Sequence, residues 1–224
     1  LPPRALFIAG SGTEIGKTYV TAALARRLRG QGRAVLALKP LASGVPPLDD
    51  PAFAETDTAL LLAAQGLPVT PATVEACSPW RFAAPLAPDQ AAACEGRTLG
   101  LDDLVAWCEA QRAAHPEPTL LIEGVGGLMS PVTADATGLD WLKRLGLPAL
   151  LVSGSYLGAI SHALTAIETL RAHGVLLAGV AVSESDGAPT PPEVVAEAIA
   201  RRVTAPVAVL HRGGAFPDAL AGVI

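Results

Sequence analysis

The chain has 224 residues, with 16 Lys and Arg against 21 Asp and Glu, and a formal net charge of −5. That balance excludes the clustered basic surface a nucleic-acid-binding protein needs, so small substrates and no nucleic-acid partner are expected. Apolar residues make up 50% and mean hydropathy is +0.41, yet no apolar run reaches the about 18 residues that span a bilayer, so no membrane partner is expected either. The length suits one α/β domain over residues 1–224, burying roughly 70% of its unfolded surface. Cys77, Cys94 and Cys108 are far apart and form no CxxC pair, which argues for reduced thiols and a cytoplasmic location rather than a disulfide framework or zinc site. His115, His162, His173 and His211 lack ligand spacing and read as surface or helix-end residues. The first residues show no basic-then-apolar leader, so export is not expected.

In chain order, Ala5 to Ala9 reads as an apolar strand, followed by Gly10 to Thr18 and a helical pattern from Thr18 to Arg29 that stops at Gly30. A second strand, Ala34 to Leu38, leads into Lys39-Pro40-Leu41-Ala42-Ser43-Gly44. Helical patterns follow from Thr58 to Gln65, ended by Gly66, and from Leu101 to His115, ended by Pro116. The strand Thr119 to Ile122 runs into Glu123-Gly124-Val125-Gly126-Gly127, and Ala149 to Val152 into Ser153-Gly154-Ser155-Tyr156-Leu157-Gly158. A helix from Ile160 to His173 ends at Gly174. The apolar run Val175 to Val182 then predicts a fully buried strand, leading into Ser183-Glu184-Ser185-Asp186-Gly187. Pro192 to Val203 is helical and Pro206 to Leu210 extended. The Pro-rich stretches Val45 to Pro51 and Pro68 to Pro88 read as irregular loops over the site.

Strands alternating with helices predict the α/β class, a mostly parallel sheet covered on both faces. Ligands then bind beyond the carboxyl ends of the strands, which directs attention to the residues that follow each strand.

Gly10-Ser11-Gly12-Thr13-Glu14-Ile15-Gly16-Lys17-Thr18 lies between a strand and a helix, where backbone N–H groups and a helix terminus can converge on phosphate oxygens. Lys17 would reach the β- and γ-phosphates and the Thr18 hydroxyl would hold a magnesium ion, implying a nucleoside triphosphate. The spacing departs from the usual phosphate-loop motif, because Ser11 stands at the first glycine position and Gly10 lies one residue further back. A plain glycine turn would need neither Lys17 nor Thr18.

Lys39 ends an apolar strand before a turn of small residues, a position open to a ligand. Glu123 is followed by four residues of which three are Gly, which permits close backbone approach and lets a carboxylate complete a magnesium shell. Asp57 reads equally as a site carboxylate or as a structural helix N-cap or first-turn acid.

Taken together these segments closely resemble the dethiobiotin synthetase family of phosphate-loop enzymes. The resemblance rests on Gly10 to Thr18, Lys39 to Gly44, Asp57, Glu123 to Gly127 and Leu157-Gly158-x-Ile160-x-His162, in order, and it thins after about Val182. It implies an ATP-dependent cyclo-ligase of biotin biosynthesis. 7,8-Diaminononanoate reacts with CO2 to a carbamate, the carbamate takes the γ-phosphoryl group of ATP, and the second amine closes the ureido ring with loss of phosphate. Such a path calls for positioning and charge neutralisation rather than a nucleophilic side chain.

The resemblance assigns Lys17, Lys39 and Thr13 to catalysis, and Thr18, Asp57 and Glu123 to magnesium. It assigns Glu14, Ile15, Gly16, Lys17, Thr18, Tyr19, Glu123, Gly124, Val125, Gly126, Ser183 and Glu184 to the nucleotide. Thr13, Lys39 and Ser43 would contact the diamine or its carbamate. Gly158, Ala159, Ile160 and Ser161 would receive the distal carboxylate of substrate bound to a neighbouring subunit, implying a homodimer with its site at the interface. Two departures stand out. Gly12 replaces a family Asp, and Ser183-Glu184 replaces the family Asn-Asp whose amide reads adenine, which puts base recognition in question. The competing readings are a phosphate-loop amidoligase and a partner-stimulated partitioning-type ATPase. The first usually carries a glutaminase domain for which 224 residues leave no room, and the second carries an early loop lysine that Gly10 to Ile15 lacks.

Overall fold

A computed structural model describes residues 4–224. In order it has β1 (Ala5–Gly10), α1 (Lys17–Gly30), β2 (Val35–Leu38), β3 (Leu41–Ser43), α2 (Asp57–Gln65), α3 (Pro71–Cys77), β4 (Trp80–Phe82) and α4 (Pro88–Cys94). There follow α5 (Leu101–Ala114), β5 (Thr119–Glu123), α6 (Gly138–Leu145), β6 (Ala149–Ser153), α7 (Ala159–Ala172), β7 (Leu177–Ser183), α8 (Pro192–Ala200) and β8 (Val207–Leu210).

Six strands form one parallel sheet in the order β2-β5-β1-β6-β7-β8. Every residue of β1 is buried because both faces of the sheet are covered, and its side chains alternate between two cores. Leu6 and Ile8 join Leu24 of α1 and Leu61 of α2 on one side. Phe7 and Ala9 join Leu104 of α5, Trp141 of α6 and Leu170 of α7 on the other. Phe7 meets Trp141 edge to face at 5.1 Å. The register pairs Ile8 with Glu123, Gly10 with Val152 and Ser183 with Leu210, so the carboxyl ends of the strands share one edge. The chain leaves β1 toward β2 on one side and later returns to β6 on the other, which opens a crevice beside the end of β1.

The expected α/β sheet is present, and two expectations fail. The run Val175 to Val182 is not buried throughout, because Leu176 is 68% exposed and the strand, β7, is buried only from Gly179 onward. The stretch from Pro68 to Pro88 is not an irregular loop, since it holds α3 and β4. Pro71 occupies the first turn of α3, where its missing N–H costs nothing, and Thr70 and Thr73 form a reciprocal capping box. Leu41 to Ser43 pairs with Trp80 to Phe82 as a small parallel sheet, so the turn after Lys39 is anchored rather than free. The sequence reading also passes over α4 and α6, the latter started by a Thr137–Asp140 capping box.

Candidate active site

The loop after β1 is shaped by glycine where nothing else fits. A Cβ at Gly10 would lie 2.8 Å from Cδ of Lys17 and 2.9 Å from the Gly126 carbonyl, which accounts for a glycine one residue earlier than the usual spacing. Glu14 has φ 55°, unique among non-glycine residues in the described chain, and Gly16 has φ 90° at the N-cap of α1. No side chain caps that helix, so its first N–H groups point into the loop unclaimed by a capping side chain, as an anion site requires.

Lys17 and Lys39 approach this loop from α1 and from the end of β2, and both are buried. Lys17 donates to the Gly12 carbonyl at 2.8 Å. Its pKa is lowered to about 8, first by burial and then by the neighbouring Lys39 charge. Lys39 donates to Glu123 Oε1 at 2.7 Å, Asp57 Oδ2 at 2.8 Å and the Gly124 carbonyl at 3.1 Å. Burial works against the Lys39 charge, but the Glu123 and Asp57 carboxylates outweigh it and hold the pKa above the ordinary lysine value. Burial likewise opposes ionisation of Asp57, and Lys39 beside it overcomes this and lowers the pKa. Asp57 is the first residue of α2, and Thr56 supplies the N-cap, so its carboxylate is free to point at Lys39. A buried ion pair is weak support for stability, because desolvation consumes most of the Coulomb gain. Its placement against a phosphate loop has to be explained by a ligand.

The Thr18 hydroxyl lies 2.7 Å from Asp57 Oδ1 and 2.6 Å from Glu123 Oε1. It has one proton, so it can donate to only one of them and leaves two oxygens in close contact without a hydrogen between them. Glu123 Oε2 is buried without a partner. An all-oxygen set with one orphaned carboxylate oxygen fits a hard divalent cation, which would take the place of the missing proton.

Three cavities meet at Thr13. One of about 370 Å³ is lined by Lys17, Thr18, Lys39, Ser43 and Asp57. Another of about 770 Å³ extends from Glu14, Gly16 and Tyr19 toward Ser183, Glu184 and Arg212. A third of about 520 Å³ lies between Gly12, Met129 and His162. Ser183 is buried, and a Cβ at Gly16 would overlap its hydroxyl, so that side chain lies flat on the phosphate loop. The Glu184 carboxylate accepts from the Arg212 N–H at 2.9 Å, which lowers its pKa. Tyr19 donates to the His211 carbonyl at 2.9 Å and fastens the segment after β8 over this cavity.

A family model described as an AAA domain matches residues 4–212. An ATP-dependent dethiobiotin synthetase from Methylobacterium nodulans is 72% identical over 95% of this chain and 95% of its own. The chain belongs to the dethiobiotin synthetase family. Dethiobiotin synthetases from Caulobacter vibrioides and Acidiphilium cryptum are 49% identical over 83% of this chain and 82% of theirs, and 44% over 89% and 88%. Among solved structures, a chain of the MinC:MinD cell division protein complex of Aquifex aeolicus gives a TM-score of 0.52 at 12% identity, covering 88% of this chain and 77% of that one. The signal recognition particle receptor FtsY from Elizabethkingia anophelis gives 0.50 at 16%, over 98% of this chain, which spans only 64% of it. These likenesses show the fold alone.

The residues that the dethiobiotin synthetase resemblance singles out are mostly brought together. Thr13 to Thr18, Lys39, Ser43, Asp57, Val125 and Gly126 surround the phosphate cavity, with Glu123 and Gly124 bonded to Lys39 behind it. Gly158, Ala159, Ile160 and Ser161 do not line it; they form the N-terminus of α7, where no side chain caps the helix. Sequence reasoning passed over the backbone carbonyls. Gly12 and Gly124 receive the two lysines, and Cys77 holds the Lys39 N–H at 3.1 Å. It also gave Arg212 no role, although the rule about residues that follow strands applies to it, since β8 ends at Leu210.

Proposed function

We propose that the protein catalyses ATP-dependent closure of 7,8-diaminononanoate with CO2 to dethiobiotin, acting as one domain over its 224 residues. The observation that carries this reading is Lys39. A fully buried ammonium from the end of β2 stands beside the phosphate-loop Lys17 and the Thr18 hydroxyl, held by two carboxylates. Hydrolysis of a nucleotide alone gives no reason for a second buried cation there. Transfer of a phosphoryl group to an anionic carbamate does, because two negative groups must approach each other.

On this reading Lys17 and the loop N–H groups bind the β- and γ-phosphates, and Lys39 bridges carbamate and transferring phosphoryl group. Thr13 and Ser43 hold the diamine end of the substrate, and Ser183 and Glu184 border the base. Thr18, Asp57 and Glu123 would hold magnesium, which when bound supplies charge neutralisation at the phosphates. We infer a homodimer in which Gly158 to Ser161 of one chain receive the distal carboxylate of substrate in the other. Supporting this are the uncapped N-terminus of α7 and the exposure of Leu157 at 84% and Met129 at 56%. A cytoplasmic location accords with a biosynthetic role and with the absence of any helix long and apolar enough to cross a membrane among the described residues.

Phosphate release that requires both the diamine and bicarbonate is the expected result. Vigorous hydrolysis without either, stimulated by DNA or a protein, would support the partitioning-type ATPase instead. Light scattering should give twice the chain mass, and a fully active monomer would refute the shared site.

A further inference from the structure

The proposed reaction sheds protons at both amines, and on the reading above the groups of the phosphate corner are engaged with the phosphates, the magnesium and one another. Asp57 and Glu123 Oε1 are bonded to Lys39 and Thr18, Glu123 Oε2 is assigned to the magnesium ion, and Lys39 stays charged. A different pair faces the same loop from the end of β6. The Tyr156 hydroxyl lies 2.8 Å from Nδ1 of His162, in the first turn of α7. It also faces Gly12, where a Cβ would lie 3.5 Å from it, so the absence of a side chain at position 12 leaves the hydroxyl open to the loop. Gly154 lets the ring lie there, since a Cβ on it would come within 2.7 Å of Tyr156 Cδ1. Tyr156 lines the nucleotide cavity and His162 the adjoining one, so the pair forms part of the partition between them above Gly12 and Thr13.

We propose that Tyr156 and His162 form a proton relay that takes the proton released by the substrate amine. The assignment rests on the reading of the protein as a dethiobiotin synthetase. As the amine nitrogen bonds to carbon, its N–H bond breaks, the electron pair stays on nitrogen, and the proton passes to the Tyr156 oxygen. The Tyr156 O–H bond breaks in the same event and that proton forms a bond to His162 Nδ1. The imidazole carries the added charge until it passes the proton to water entering the cavity that His162 lines, beside the α7 N-terminus proposed as the subunit interface. His162 is the sole titratable side chain lining its cavity; Glu14, Glu184, Asp186 and Arg212 line the one on the Tyr156 side, with Glu184 already bonded to the Arg212 N–H.

The test compares wild type, His162→Ala and Tyr156→Phe in dethiobiotin formation. Phe preserves the packing of the ring and His162 is exposed, so both variants should fold. The relay predicts that kcat falls about a hundredfold in each with KM for ATP little changed. It also predicts that added imidazole restores His162→Ala by about tenfold but leaves Tyr156→Phe unaided, and that the acid limb of kcat against pH is lost in both. Turnover in either variant within about threefold of wild type overturns the relay, as does a fall that imidazole does not relieve in His162→Ala. A wild-type protein that makes no dethiobiotin removes the functional reading, and the relay with it; a productive wild type with unaffected variants removes the relay alone.

Discussion

The phosphate side and the base side of the same crevice are built differently. Around Lys39 the two lysines and Glu123 are buried, with Lys17 bonded to the Gly12 carbonyl and Lys39 to Glu123 and to the partly exposed Asp57. Around Glu184 they sit at the surface. His211 is 55% exposed and lies 3.3 Å from Glu184 and 3.0 Å from Glu193. Charges are worth far more where water is excluded. On the proposed reading the phosphoryl chemistry would therefore depend on a few buried groups, and the base would be held by groups that water screens. The first region should respond to substitution in turnover and the second in selectivity.

The largest effect is expected at Lys39. Lys39→Ala should lower turnover by about two orders of magnitude or more, as removal of a preorganised charge does. Near-normal turnover in a correctly folded variant would reduce Lys39 to a structural partner of Asp57 and Glu123.

A smaller effect separates binding from stability. ATP affinity should weaken above about pH 8 as Lys17 loses its proton, by at most about tenfold per pH unit. Folding stability should move the other way. Lys17 has a folded pKa of about 8 against 10.5 for the ordinary group, so between these values the unfolded chain binds more protons and stability rises with pH. Nucleotide titrations and denaturant melts of wild type and Lys17→Met, whose difference isolates this group, check both slopes. Parallel slopes would contradict the assignment.

The smallest effect belongs to the base side. A single hydroxyl at Ser183 cannot match the paired donor and acceptor of an Asn amide, a contact worth about 1 to 3 kcal/mol of discrimination. CTP, GTP and UTP should therefore serve within about tenfold of ATP, and Ser183→Asn should sharpen the preference for ATP. Rejection of all three by the unmodified protein would mean that backbone groups, or the segment after β8 that Tyr19 fastens, read adenine.

The same contrast explains what the sequence disclosed. Gly10 to Thr18 and Glu123 to Gly127 are legible because close backbone approach demands glycine locally, next to apolar strands that announce themselves. Lys39 is legible as a charge at the end of an apolar run. The pairing of Lys39 with Asp57 is not, because it depends on α3 and β4 fixing the turn after β2, and those were hidden in a Pro-rich stretch that resembles a loop. The base side has no such local demand. Arg212, Tyr156 and Glu184 meet only through the order of strands in the sheet, which no short pattern records.

The most direct test of the central claim is to incubate the protein with 7,8-diaminononanoate, isotopically labelled bicarbonate, magnesium and ATP, and to weigh the product. The account predicts dethiobiotin carrying the label, formed in step with phosphate. Phosphate release without labelled dethiobiotin would contradict it.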